Sequence, residues 1–210
     1  MRKILIANPK GGSGKSTLAA HLAAWFAWQE DQVLLGDTDR QQSLAHWLAL
    51  RPPALPRIHG WEVHPGEPAR PPRGTQVAIL DTPAGLHGKK LKALLEMVDQ
   101  VIVPLQTGAF DFWASGEFFE ALAESRAVRR EQIRVAAVGM RVNPRSSNGR
   151  ELIPFLEAHD IPLLTQLRDA TVYRDTVARG MTLFDLSPAR TRLDREQWQP
   201  LLDWVTAPRR

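Results

Sequence analysis

Short, nearly unbroken apolar runs alternate along the chain with longer stretches in which apolar residues recur every third or fourth position. The first rhythm suits strands buried on both faces and the second suits amphipathic helices. Their alternation is the signature of βαβ units closing a parallel sheet. The expected strands are KILIA (3–7), QVLLGD (32–37), QVAILD (76–81), DQVIVPLQ (99–106) and IRVAAVGMRVN (133–143). The helical rhythm covers 15–30, where Leu18, Leu22 and Phe26 share a stripe, and then 86–97, 114–128 and 149–159. One stretch breaks the pattern. Residues 51–75 carry prolines at 52, 53, 56, 65, 68, 71 and 72, so this segment should cross the surface with at most a short strand near Trp61–His64. No internal repeat or long linker divides the remainder. Residues 1–210 therefore read as one α/β domain, a doubly wound, mostly parallel sheet flanked by helices.

Composition narrows the class. At 43% hydrophobic over 210 residues the chain can bury a sizeable core. It has no cysteine, which excludes disulfides, thiolate metal sites, iron–sulfur clusters and cysteine nucleophiles. It also shows no signal-peptide pattern and no apolar span of the roughly 20 residues that cross a membrane, so a cytoplasmic location is expected. The net charge of +4 is unevenly placed: residues 1–124 hold 12 Lys+Arg against 13 Asp+Glu, and residues 125–210 hold 15 against 10. Every cation after Lys92 is an arginine, the better fork for phosphate. The basic C-terminal third hints at a polyanion partner, although ordinary surface charge in an arginine-rich chain would give the same counts.

The junction after the first strand reads NPKGGSGKSTLAAHL, from Asn8 to Leu22. Gly14-Lys15-Ser16 completes the phosphate-loop pattern G-x-x-x-x-G-K-[ST], while Asn8 stands where its first glycine belongs. Gly11, Gly12 and Gly14 let the backbone turn N–H groups inward as an anion nest, and the helix that follows adds its positive end. In such a loop Lys15 reaches the β- and γ-phosphates and the Ser16 hydroxyl ligates Mg²⁺. Asp37, Asp39 and Asp81 fall at or just past strand C-termini, the edge at which open parallel sheets bind ligands. Asp81, after VAIL, sits where a Walker B carboxylate holds the Mg²⁺ shell. Asp37 and Asp39 alternate along an extended segment, so one could touch that shell while the other orients a water. Helix-capping or turn aspartates would leave the same pattern.

KGGSGKST with its additional Lys10, DTDRQQS and DTPAG together resemble the deviant Walker A ATPases of the ParA/MinD type, a branch of the P-loop NTPases. PLQTGAFDFWA and RDATVYRDTVARGMTLFD extend the resemblance over nearly the whole chain. It implies ATP with Mg²⁺ as the bound species and ATP hydrolysis as the activity. Lys10 matches the signature lysine that reaches across a nucleotide-sandwich homodimer to the partner's phosphates. Lys15 matches the ordinary P-loop lysine and Ser16 the magnesium ligand. Gly11, Gly12, Ser13, Gly14, Lys15, Ser16 and Thr17 would hold the nucleotide, with Asn143 contacting adenine. Asp39 matches the switch I aspartate that positions the attacking water, so Lys10, Lys15 and Asp39 form the implied catalytic set. Asp37 matches its metal-shell neighbour, and Asp81 with DTPAG matches switch II. Two departures stand out: Arg40 replaces a common proline, freeing φ and adding positive charge, and Ser16 replaces the usual threonine but keeps its hydroxyl.

ParA-like members bind DNA non-specifically as ATP dimers and move cargo, whereas MinD-like members bind membrane through a C-terminal amphipathic helix. In TRLDREQWQPLLDWVTAPRR, Leu193, Leu201, Leu202, Trp204 and Val205 could line an apolar stripe that Trp198 joins imperfectly. Asp194, Glu196 and Asp203 share the segment, Pro200 interrupts it and lysine is absent, so a helix packed on the sheet is the better reading than an interfacial anchor. Arg168, Arg174, Arg179, Arg190 and Arg192 could instead neutralise phosphates without reading bases. The alternative is a solvated face paired with Asp169 and Asp175.

The expectation is thus a nucleoid-associated, ATP-dependent homodimer on non-specific DNA, working with a ParB-like or other adaptor to segregate or position cargo. A MinD-like membrane-associated ATPase is the alternative, and the sequence does not name the cargo. The missing cysteines exclude a nitrogenase-reductase-like carrier, and an ATP-dependent carboxylate ligase would leave Lys10 without a role. With the loop starting at residue 8, an operator-reading domain ahead of it is not expected. Trp113 fits either the dimer interface or a helix-start core position, and His21 fits a partly buried polar site in the first helix.

Overall fold

The computed structural model describes residues 1–61 and 71–208. Seven strands form one sheet: β1 (Arg2–Ile6), β2 (Val33–Asp37), β3 (His59–Trp61), β4 (Val77–Asp81), β5 (Gln100–Leu105), β6 (Arg134–Met140) and β7 (Leu163–Leu167). Their order is β3-β2-β4-β1-β5-β6-β7, and every pairing is parallel. The helices are α1 (Lys15–Trp28), α2 (Ser43–Leu50), α3 (Gly88–Leu95), α4 (Ala109–Ala123), α5 (Arg126–Arg129), α6 (Ser147–Glu157), α7 (Thr171–Val177) and α8 (Pro188–Thr206), with a 3₁₀ turn at Leu183–Asp185. β1 lies in the middle; the chain passes to β2 and β3 on one side, returns to β4 beside β1, and then runs outward through β5, β6 and β7 on the other. The loop after β1 therefore opens at the switch point of the sheet, where α/β folds hold ligands.

The unbroken apolar runs are explained by burial on both faces. Ile4 and Ile6 point into one core with Leu18, Leu22 and Phe26 of α1, while Leu5 and Ala7 point into a second core with Phe118, Phe119 and Leu122 of α4. β7, whose sequence LLTQL mixes polar residues into the run, is absent from the sequence expectation. It is an edge strand with one neighbour and is mostly half-buried, so its pattern never needed to be uniformly apolar. The short strand near Trp61–His64 is observed as His59–Trp61, and residues 62–64 lie outside the described residues, as do Pro65 and Pro68. The expected helix over 114–128 starts earlier, at Ala109, and gives way to the separate α5.

The C-terminal stripe is rotated relative to the expected one. Trp198, Leu201, Leu202 and Val205 are buried in the core that contains α1, whereas Leu193 is exposed and Trp204 is half-buried with the Arg134 guanidinium 4.6 Å from its ring. Positions 198, 201, 202 and 205 follow the helical spacing of one face. Leu193, five positions before Trp198, lies about 140° round the helix from it and so off that face, while Thr191 breaks helical geometry near the start of α8 (φ −123°, ψ 17°). The apolar side of this helix is thus spent on the sheet. Among the described residues, no helix is long and apolar enough to cross a membrane.

Candidate nucleotide site

The loop joining β1 to α1 is anchored by a residue whose role the sequence did not reveal. Asn8 is 1% exposed. Its amide donates to the Pro104 carbonyl (2.9 Å) and the Ser115 hydroxyl (3.2 Å), and its Oδ1 accepts the Lys10 N–H (2.8 Å). A glycine there could make none of these bonds. Gln106 donates to the Gly12 carbonyl (2.7 Å) and Gly85 N–H to the Pro9 carbonyl (2.7 Å), so the loops after β4 and β5 both brace the glycine loop. Gly14, at φ +98°, ends the loop where a Cβ would meet the Met140 side chain at 2.8 Å. The conformation demands glycine there, while the close neighbour is only the flexible end of a methionine.

The two lysines of this loop point to different places. Lys15 is buried, and its Nζ donates to the Lys10 carbonyl (3.0 Å) inside the loop. Burial above all lowers its pKa, against the raising pull of Asp81 and Asp39. Lys10 sends its ammonium out of the loop to Asp111 on α4, 2.7 Å away. Asp111 was not singled out in the sequence. Only a tertiary contact places it beside the loop.

Ser16 and Asp81 meet at the foot of α1, the Ser16 hydroxyl donating to Asp81 Oδ2 at 2.6 Å. Asp81 pairs in register with Ile6 of β1 and with Asp37 of β2, so the ends of three strands are level. Asp81 is 1% exposed. Burial pushes its pKa up to about 7, the Ser16 hydroxyl pulls it down, neighbouring Asp37 raises it and Lys15 lowers it. A hydroxyl and a hard carboxylate at hydrogen-bond distance, with too little positive charge to keep that carboxylate at its ordinary pKa, form a donor set that fits Mg²⁺. The buried Ser13 hydroxyl, which has no hydrogen-bond partner among the described residues, faces the same need for a ligand.

The two aspartates at and after the end of β2, Asp37 and Asp39, are held by local turns. Asp37 Oδ1 accepts the Asp39 N–H (2.9 Å) and its Oδ2 accepts the Leu44 N–H (2.8 Å) at the start of α2. Asp39 Oδ1 accepts the Gln41 N–H at 3.0 Å. Asp37 is therefore a helix cap as well as a neighbour of Asp81, and Asp39 is the more exposed of the pair. Gln42, at φ 51°, closes the turn by donating to the carbonyls of Asp37 and Asp39, both at 3.1 Å. Arg40 is exposed at its apex.

A pocket of about 340 Å³ adjoins the loop at Gly14 and Thr17 and runs between the ends of β6 and β7, with Met140, Arg141, Asp169 and Tyr173 among its lining residues. Asn143 is not among them. It is exposed beyond the strand, its Oδ1 accepting the Arg145 N–H (3.1 Å) and its carbonyl accepting the Ser146 hydroxyl (2.7 Å). β6 ends at Met140 rather than at residue 143 as its apolar run suggested, and it is Met140 and Arg141 at that strand end that border the pocket.

The five C-terminal arginines do not form one set. Arg168 makes a bidentate pair with buried Asp194 (2.8 and 3.0 Å), and Arg192 pairs loosely with Glu196 (3.5 Å). The partners expected from sequence, Asp169 and Asp175, are in neither pair. Arg174 lines the pocket, while Arg179 and Arg190 are exposed without an ion pair among the described residues. His21 is fully buried, its ring near Tyr173, Phe184 and Trp198 and its Nδ1 donating to the Thr17 carbonyl (2.8 Å). Trp113 lies on the surface, 68% exposed.

Known proteins place this geometry in a lineage. The profile described as the CobQ/CobB/MinD/ParA nucleotide binding domain matches residues 4–183. The maintenance of carboxysome distribution protein A of Halothiobacillus neapolitanus is 28% identical over 210 residues, covering 96% of this chain and 95% of its own. The chromosome-partitioning ATPase Soj of Thermus thermophilus is 26% identical, over 93% and 95%. Among solved structures, the ATP complex of Cyanothece McdA superimposes with a TM-score of 0.73 over 96% of each chain at 15% identity, a likeness of fold.

Proposed function

The chain belongs to the CobQ/CobB/MinD/ParA family of nucleotide-binding domains, as an ATPase of the ParA/MinD type, and from that premise we propose that ATP controls its self-association and that the ATP dimer positions cargo on non-specific DNA. The observation that carries this reading is the opposite aim of the two lysines. Lys15 turns into its own loop, and Lys10 turns out of it. A lysine that served only its own nucleotide would have no reason to leave the loop.

Each residue then has a task. Ser16 and Asp81 would hold Mg²⁺, which would supply positive charge to the phosphates. The inward N–H groups of Gly11, Gly12, Ser13 and Gly14 cradle the phosphates, and Lys15 exchanges the Lys10 carbonyl for a phosphate oxygen. Asp39 orients the attacking water, with its backbone pinned by Asp37. Phosphoryl transfer gains most from positioning and from cations near the transferring group. The partner subunit's Lys10 provides such a cation only in the dimer, so hydrolysis and dimer lifetime become linked. Loss of the γ-phosphate removes what that lysine holds.

Of the five, Arg174, Arg179, Arg190 and the loosely paired Arg192 are free, among the described residues, to meet a phosphate backbone, whereas Arg168 is committed to Asp194. A homodimer presents each of them twice. The relatives named for carboxysome distribution and chromosome partitioning share a switch with different cargo. Here too the cargo would be set by an adaptor protein and the place of action would be the nucleoid. The buried apolar face of α8 argues against the membrane alternative.

Co-sedimentation with DNA and with anionic liposomes, under a non-hydrolysable ATP analogue or ADP, tests the proposal. Expected is analogue-dependent, sequence-independent DNA binding that weakens steeply with salt. Binding to liposomes alone, or to DNA regardless of nucleotide, would overturn it.

A further inference from the structure

The ion pair that holds Lys10 is built, not incidental. Asp111 is only 9% exposed and lies in the first turn of α4, its N–H bonded to the Gly108 carbonyl at 2.9 Å. A carboxylate in that turn is favoured by the helix dipole. Gly108 has φ −87°, which any L-residue adopts, yet a Cβ there would lie 2.5 Å from Asp111 Oδ2. Glycine is thus needed for the carboxylate rather than for the backbone. Lys10 is fixed from the other side, with its N–H on Asn8 Oδ1 and its carbonyl on Lys15. The rings of Phe110 and Trp113, 73% and 68% exposed and edge-to-face at 5.4 Å, flank Asp111 along the chain. The pair therefore sits beside an exposed aromatic patch.

We propose that Asp111 is the resting counter-ion of Lys10, a positioning residue that keeps the lysine in its own subunit until a triphosphate on a second copy competes for it. This rests on the reading of Lys10 as the cross-subunit lysine. Dimerisation becomes an exchange in which each Lys10 gives up one carboxylate charge for the greater charge of a triphosphate tail. Asp111 thereby sets a threshold that a monomer must exceed before it pairs. Because a symmetric dimer breaks two such pairs, their effects multiply.

The test is the dimer dissociation constant of the full chain with a non-hydrolysable ATP analogue, by sedimentation equilibrium. Asp111→Asn should tighten the dimer by about tenfold, near threefold for each half-exposed pair released. Gly108→Ala, which displaces the carboxylate by crowding, should act in the same direction and decides the matter should Asp111→Asn fail to fold. In a Lys10→Ala background neither substitution should bring any gain, a dependence that a merely structural role for Asp111 would not show. A dimer no tighter than wild type in both variants, or a gain that persists without Lys10, would overturn the assignment of Asp111. A wild-type chain with no analogue-dependent dimer would instead overturn the reading beneath it.

Discussion

The nucleotide edge and the α7–α8 layer contrast in how their polar groups are satisfied. At the edge, demands are left open: Ser13 has no partner among the described residues, Lys15 is buried with a lowered pKa, and Asp81 is buried with a raised one. In the α7–α8 layer nearly everything closes within the chain. Trp198 donates to the Tyr173 hydroxyl, Thr165 to the Gln197 carbonyl, and Arg168 to both oxygens of Asp194. Buried polar groups left unmet are costly, so a fold keeps them where a ligand will meet them and closes them where it needs rigidity. Two acceptors packed against this layer stay open among the described residues: His21 Nε2 on α1 and Oε1 of Gln100, the residue whose amide donates to the Val205 carbonyl.

Substitutions can break this contrast, beginning with the scaffold. Trp198→Ala removes a side chain with no exposure and should cost about 4 kcal/mol of folding stability in urea titrations. Nucleotide affinity of the molecules that remain folded should hold. His21 provides the next largest effect. Burial lowers its pKa to about 4, while an unfolded histidine takes its proton near 6.5. The unfolded chain therefore binds more protons between these values, and stability should fall by about 3 kcal/mol as pH drops from 6.5 to 4. His21→Gln should flatten that part of the urea-derived stability profile, and an unchanged slope would contradict the assignment.

The edge should respond in the opposite sense. Lys15→Ala is expected to cost about 3 kcal/mol in ATP binding, near a hundredfold in Kd by calorimetry. The thermal midpoint should stay level or rise, because a desolvated ammonium has been removed. A large drop in the midpoint would mean that Lys15 is part of the scaffold. The smallest effect belongs to the exposed Arg192–Glu196 pair: Arg192→Ala should change folding stability by less than about 0.5 kcal/mol.

Much of the edge was legible because its signals are local. Gly14, Lys15 and Ser16 are contiguous, and Asp37 and Asp81 end apolar runs that become neighbouring strands in register. The anchoring role of Asn8, and Asp111 altogether, escaped notice because their partners lie 96, 107 and 101 residues away in sequence, respectively Pro104 and Ser115 for Asn8 and Lys10 for Asp111. The end of β6 was misplaced because the apolar run outlasts the strand, which stops at Met140. β7 was missed for the complementary reason, since an edge strand need not be apolar. The arginines near the C-terminus looked equivalent in sequence, yet one is locked to Asp194 and another lines the pocket.

What the sequence alone determined is the alternation that makes a parallel α/β sheet and the loop that suits a phosphate, because both depend on neighbours within a few residues. What only the tertiary structure decided is where the free ends of those residues go: Lys15 inward, Lys10 to Asp111, Arg168 to Asp194 and Trp198 into the core. The aim of a side chain depends on which strands and helices become neighbours across the fold. That choice is made by the burial of whole elements, and a motif does not contain it.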